Sequence, residues 1–174
     1  MATGYGRTVL ALLIFGSVFG ATTTAAAQPR TDSAQAAPVS RRIVVSFPDR
    51  KLALIENDEV VLVLPVAIGA PDSPSPSGTF EIITRLSNPT YYGKRQVIEP
   101  GPSNPLGTRW IGLNVKGYGL HGTDSPRSIG FAKSHGCIRL HNKDVETLFT
   151  RVRVGDVVEL HDARTPELAW LFGN

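Results

Sequence analysis

Cys137 is the only cysteine in the chain, and it stands in Ser134-His135-Gly136-Cys137-Ile138-Arg139-Leu140. Upstream lies His121, in Gly119-Leu120-His121-Gly122-Thr123. Covalent catalysis at a carbonyl needs a nucleophile that can become anionic, a base to take its proton, and donors for the oxyanion. A free thiol ionises near pH 8.5 (roughly), so it needs a neighbouring imidazole to react at neutral pH. His121 and His135 both qualify, and the residue types do not choose between them. On a strand, His135 and Cys137 share a face; His121, from a separate segment, meets the thiol face to face. Gly136 leaves the backbone open, so the N–H groups of Gly136 and Cys137 can converge on one oxygen. Gly122 lets its carbonyl approach an imidazole N–H and fix the tautomer. His141 and His161 have no such neighbours and read as structural or surface residues.

Two other readings compete for these residues. His121, His135, Cys137 and His141 are types that bind zinc, and three of them plus water would make a catalytic site. Their spacing matches no zinc signature, so no metal is expected, and no organic cofactor. A lone cysteine can also be a small buried apolar residue, in which case the chain is a non-catalytic binding module.

The N-terminus bears on the thiol. Arg7 is followed by an uncharged apolar run over residues 9–21, and then by Ala25-Ala26-Ala27. This is the layout of a secretory signal peptide over residues 1–27, cleaved before Gln28. The run is shorter than the roughly 20 residues of a membrane span, so membrane contact is expected only if the segment stays uncleaved. The expected location is outside the cytoplasm, in the periplasm or cell wall. The net charge of +3, of which Arg7 supplies one, is too weak and too dispersed to argue for nucleic acid.

These residues need a scaffold. Residues 28–40 are polar and alanine-rich and read as a flexible lead-in, which puts the folded domain at residues 41–162. Seventeen glycines and 13 prolines separate short apolar runs, which favours a β-rich domain. Strands are expected at residues 43–47, 51–56, 59–69, 79–86, 107–115, 118–122 and 157–161, with a hairpin at Asn57-Asp58. Residues 87–105 form a long loop with Tyr91 and Tyr92, a candidate lid whose tyrosines would touch substrate. Residues 125–131 suit one helical turn. Asn142 is the expected N-cap of a helix with Val145, Leu148, Phe149 and Val152 on one face. Residues 163–174 form a tail with a short helix at 166–172. The expected fold is mainly β, a sandwich or partly closed barrel with one or two short helices.

The chain resembles the catalytic domain of the L,D-transpeptidases, the YkuD type, from about Arg42 to His161. The resemblance is strongest at His121-Gly122-Thr123 and Ser134-His135-Gly136-Cys137-Ile138-Arg139-Leu140. Pro76-Ser77-Gly78-Thr79-Phe80 and the run from Pro100 to Gly107 support it. The resemblance implies that His121 is the general base and Cys137 the nucleophile. It also implies that Gly122 orients the imidazole by its carbonyl and that His135 supports the thiol. Arg139, where many members have Asn, and Ser134 are implied at the substrate. The implied partners are peptidoglycan stem peptides. Cys137 would attack a tetrapeptide donor at the L-centre of its diaminopimelate, release D-alanine, and pass the acyl group to a stem amine as a 3→3 cross-link. Hydrolysis, or attachment or release of a wall-bound protein, would use the same acyl-enzyme.

Overall fold

The computed structural model describes residues 39–173; the expected signal segment and most of the lead-in lie outside them. The first strands form a meander, β1 (Arg41–Ser46), β2 (Lys51–Glu56) and β3 (Glu59–Pro65). Asn57 and Asp58 both adopt positive φ, 50° and 65°, as a two-residue turn between twisted strands requires. The apolar run over residues 59–69 is broken into two strands. Pro65, which has no N–H, ends β3, and β4 (Ile68–Gly69) joins a separate two-stranded sheet.

Next come β5 (Gly78–Ser87), β6 (Tyr91–Tyr92), β7 (Val97–Ile98), β8 (Arg109–Leu113) and β9 (Gly119–His121). A 3₁₀ turn (Pro126–Ser128), β10 (Ala132–Ser134) and β11 (Ile138–Arg139) follow. The chain then forms α1 (Asn142–Arg151), β12 (Val157–His161) and α2 (Pro166–Phe172). Eight strands make one curled, half-barrel sheet in the order β11-β9-β8-β5-β12-β1-β2-β3. The expected mainly β fold with two short helices is the one observed.

Both faces of the sheet's middle are covered. Ile43, Val45, Leu52 and Leu54 point into the main core, against Val145 and Leu148 of α1. Val44, Ala53 and Ile55 point the other way and are covered by Leu168 and Phe172 of α2. This explains why β1 and β2 read as almost continuous apolar runs instead of alternating. Thr165 caps α2 by accepting the Leu168 N–H, and Pro166 occupies its first turn.

The start of α1 differs from expectation. His141 is the cap residue, without a side-chain cap bond, and Asn142 is the first helical residue. The Leu140 N–H donates to the His121 carbonyl, which prolongs the β9–β11 pairing and holds His141 extended. The Asn142 side chain is engaged elsewhere, with the loop after β9.

The core reaches the residue beside His121, because Leu120 is fully buried. We predict that Leu120→Ala costs about 2–5 kcal/mol of stability, as other deep leucine truncations do. Urea titration checks it, and a loss below about 1 kcal/mol would mean that this strand does not anchor the core.

Candidate active site

β9 is the sheet strand that carries His121, and β11 is its parallel neighbour. The pairing sets Ile138 against Leu120 and Arg139 against His121. Cys137 directly precedes β11 and so falls level with Gly119, two residues along the parallel strands from His121, and both side chains line one cavity. On its other side β9 pairs with β8, which sets Trp110 opposite His121. The two rings stack with centroids 5.7 Å apart and planes 26° apart. Trp110 was not picked out by sequence reasoning; its alternating place on an apolar strand carries no sign of what lies opposite.

His121 is buried, and its Nδ1 lies 2.6 Å from the Gly122 carbonyl oxygen. That oxygen can only accept, so Nδ1 carries the hydrogen and the lone pair is on Nε2. Burial pushes the His121 pKa down to about 4. The Gly122 hydrogen bond opposes this, while the charge of Arg139 reinforces it.

Burial pushes the Cys137 thiol up, against a hydrogen bond from the Gly119 backbone and the positive charge of Arg139. The thiol donates to the Gly117 carbonyl at 3.5 Å. Both shifts favour the uncharged forms at neutral pH, a thiol and a neutral imidazole on the wall of one cavity.

The turn before Cys137 is clamped by Ser134. Its hydroxyl donates to the Cys137 carbonyl at 2.5 Å and accepts the Gly136 N–H at 3.0 Å. The Gly136 N–H, expected to face an oxyanion, is thus already engaged. Cys137 supplies the remaining N–H of that pair. Gly136 has φ +109° and lies so close to the Tyr118 ring that a Cβ would sit 2.7 Å from it. Ser134, expected at the substrate, spends both bonding directions on the backbone of the turn.

A cavity of about 990 Å³ opens over this pair and is lined by His121, His135, Cys137 and Arg139 on one side. The loop over residues 87–105 supplies the facing wall. It is an ordered β6–β7 hairpin, with Tyr91↔Ile98 and Tyr92↔Val97 paired. Tyr91 is half-buried against Gly93, whereas Tyr92 is 79% exposed at the cavity's outer edge. Asn104 holds the loop's shape. It is fully buried, its amide donates to the carbonyls of Pro89, Ile98 and Glu99, and its oxygen accepts the Leu106 N–H. Among the described residues no acidic group lies within ion-pair distance of Arg139.

Among the described residues, no three His, Cys, Asp or Glu side chains gather so as to hold a metal ion. His121, His135, Cys137 and His141 are therefore not assembled as a zinc site. No helix of the described residues is long and apolar enough to cross a membrane.

The family model for the L,D-transpeptidase catalytic domain, YkuD, matches residues 40–160. YqjB of Bacillus subtilis, which bears the name L,D-transpeptidase, is 40% identical over 125 residues, 69% of this chain and 70% of that protein. YkuD of Bacillus subtilis, named likewise, is 39% identical over 119 residues, 68% of this chain and 65% of its own length. YbiS of Escherichia coli is 29% identical over 140 residues, and only 45% of its length is spanned. Among solved structures, an L,D-transpeptidase from Mycobacterium tuberculosis H37Rv superposes with a TM-score of 0.62 at 18% identity, over 71% of this chain and 58% of that one. One from Mycobacterium smegmatis gives 0.60 at 23%, over 71% and 59%. These two share the fold.

The electrostatics give a pH prediction with a definite sign. The unfolded His121 titrates near 6.5 (roughly) and the folded one at about 4, so the unfolded chain binds the extra proton between them. Stability is therefore lost as pH falls through that window. Wild type should lose up to about 3 kcal/mol more than His121→Gln between pH 7 and 4, read by urea unfolding. Alkylation of Cys137 by iodoacetamide should climb through pH 8 to 10. A rate already flat from pH 5 to 8 would instead mark a thiolate–imidazolium pair.

Proposed function

Because the chain belongs to the L,D-transpeptidase catalytic-domain family of the YkuD type, a family of peptidoglycan acyltransferases, we propose that it joins peptidoglycan stem peptides through a thioacyl-enzyme on Cys137. The observation that carries this reading is the pairing of Cys137 with His121 in one cavity, with Nδ1 tied to Gly122 and Nε2 left to act.

Nε2 of His121 takes the thiol proton while Sγ bonds to the carbonyl carbon on the L-centre of diaminopimelate in the donor tetrapeptide. The carbonyl oxygen gains charge and is met by the Cys137 N–H. The bond to the terminal D-alanine breaks, and its amine leaves with the proton held by His121. A side-chain amine of a second stem then attacks the thioester and gives up a proton to His121. The new amide is a 3→3 cross-link, and the thiol is restored.

His121 is well suited to both directions of this transfer, since a base that is neutral at rest accepts a proton only as the sulfur commits to attack. Arg139 lines the cavity without an acidic partner among the described residues, which suits a carboxylate of the stem. The β6–β7 hairpin, with Tyr91 and Tyr92, would cover the bound stem and keep water from the thioester. Export to the periplasm or cell wall, by way of residues 1–27, would bring the site to this substrate.

The reading predicts a single adduct on wild type exposed to imipenem, seen by intact-mass spectrometry, and none on Cys137→Ala. His121→Ala should slow that acylation by about 10²–10⁴-fold. With a purified tetrapeptide muropeptide, wild type should yield cross-linked dimer and free D-alanine. Tripeptide alone would assign the second step to water and remove the cross-linking claim.

A further inference from the structure

The base is held by a peptide group, and that peptide group is itself held. The Gly122 carbonyl receives the His121 Nδ1–H at 2.6 Å, and the N–H of the same planar unit belongs to Thr123. That N–H donates to Oδ1 of Asn142 at 2.9 Å. In a trans peptide the C=O and N–H point in opposite directions, so fixing one fixes the other. Asn142 therefore sets the direction of the carbonyl that selects the tautomer of His121, although it does not touch the imidazole.

Three further observations single out this oxygen. It also accepts the Thr108 N–H, at 3.4 Å, and the Thr108 carbonyl accepts the Asn88 N–H, which closes the root of the loop over the cavity. It sits in a slot made by two glycines: a Cβ on either Gly107 or Gly122 would lie 2.1 Å from it. Finally, Asn142 is the first residue of α1, not its cap, so its amide is free to serve the loop instead of the helix.

We propose that Asn142 is a positioning residue that holds the Gly122–Thr123 peptide plane and, through it, His121 as the Nδ1–H tautomer. This rests on the reading of His121 as the base. The chain imidazole N–H to carbonyl, then amide N–H to amide oxygen, is polarised in one sense, so each bond strengthens the next. Without the Asn142 oxygen the peptide can turn, the Nδ1–H loses its acceptor, and a share of the imidazole presents Nε2–H to the thiol, which cannot take a proton.

The test compares wild type, Asn142→Ala and Asn142→Asp, with Cys137→Ala as the blank. Acylation by imipenem is followed by intact mass from pH 4 to 9, and imidazole ¹⁵N shifts report the His121 tautomer. Asn142→Ala should acylate about 10–100-fold more slowly at pH 7, the range lost when an outer partner of an oriented histidine is removed. Its ¹⁵N shifts should show mixed tautomers. Asn142→Asp keeps an acceptor oxygen, so it should recover most of the rate. Its negative charge should raise the acid limb of the profile relative to wild type.

A rate for Asn142→Ala within twofold of wild type, with or without a lower melting temperature, would overturn the proposal, as would an unchanged tautomer. If Asn142→Ala does not fold, the Asn142→Asp profile decides alone, and an unmoved acid limb overturns it. Absence of an adduct on wild type would instead refute the proposed function; the tautomer measurement would still test Asn142.

Discussion

The parallel pairing of β11 with β9 is only two residues long, yet the whole site is registered by it. Parallel neighbours need a crossover between them, because the chain must return to start in the same direction. Here the return over residues 122–137 holds the 3₁₀ turn and β10, and β10 is itself tied to β4. The end of that crossover is the clamped turn of Ser134, Gly136 and Cys137. A slip of one residue would put Cys137 on the opposite side of the strand from the imidazole. The Leu140 N–H on the His121 carbonyl and the Ala67 bridge to Arg139 prevent that slip.

Two titratable groups of the cavity are held toward their neutral forms. Burial acts on both in the direction that disfavours charge, down for His121 and up for Cys137. Arg139 adds a positive charge that discourages imidazolium and favours thiolate. The pair is thus biased against resting as ions but helped toward a thiolate once an acceptor for the proton is engaged. Trp110, stacked on His121, and the ordered hairpin over the cavity supply the low-polarity surroundings in which this balance holds.

Much of this was legible in the residues. The strands at Lys51–Glu56 and Val157–His161, the turn at Asn57-Asp58 and both helices follow from local pattern, because each depends on neighbours close in sequence. Chemistry alone left two histidines open as the base, and the family resemblance implies His121. What was not legible depends on contacts made across the fold. Trp110 against His121 is a cross-strand pairing set by register. Asn142 looked like a cap because Asn often is one; the Thr123 N–H that its oxygen accepts comes from a loop distant in sequence. The Gly136 N–H looked free because the pattern does not reveal that the Ser134 hydroxyl folds back onto it. The split after Pro65 was visible in principle, since proline cannot continue a ladder.

The slot between Gly107 and Gly122 has a consequence for how this chain can change over generations. Three positions far apart in sequence meet at one oxygen, and none of them can vary on its own. A side chain at either glycine collides with Asn142, while a smaller residue at 142 leaves a void and two amide groups without their acceptor. Substitutions there should be strongly non-additive, so a lineage could leave this arrangement only by altering the helix start and both loops together. The three residues behave as one inherited character.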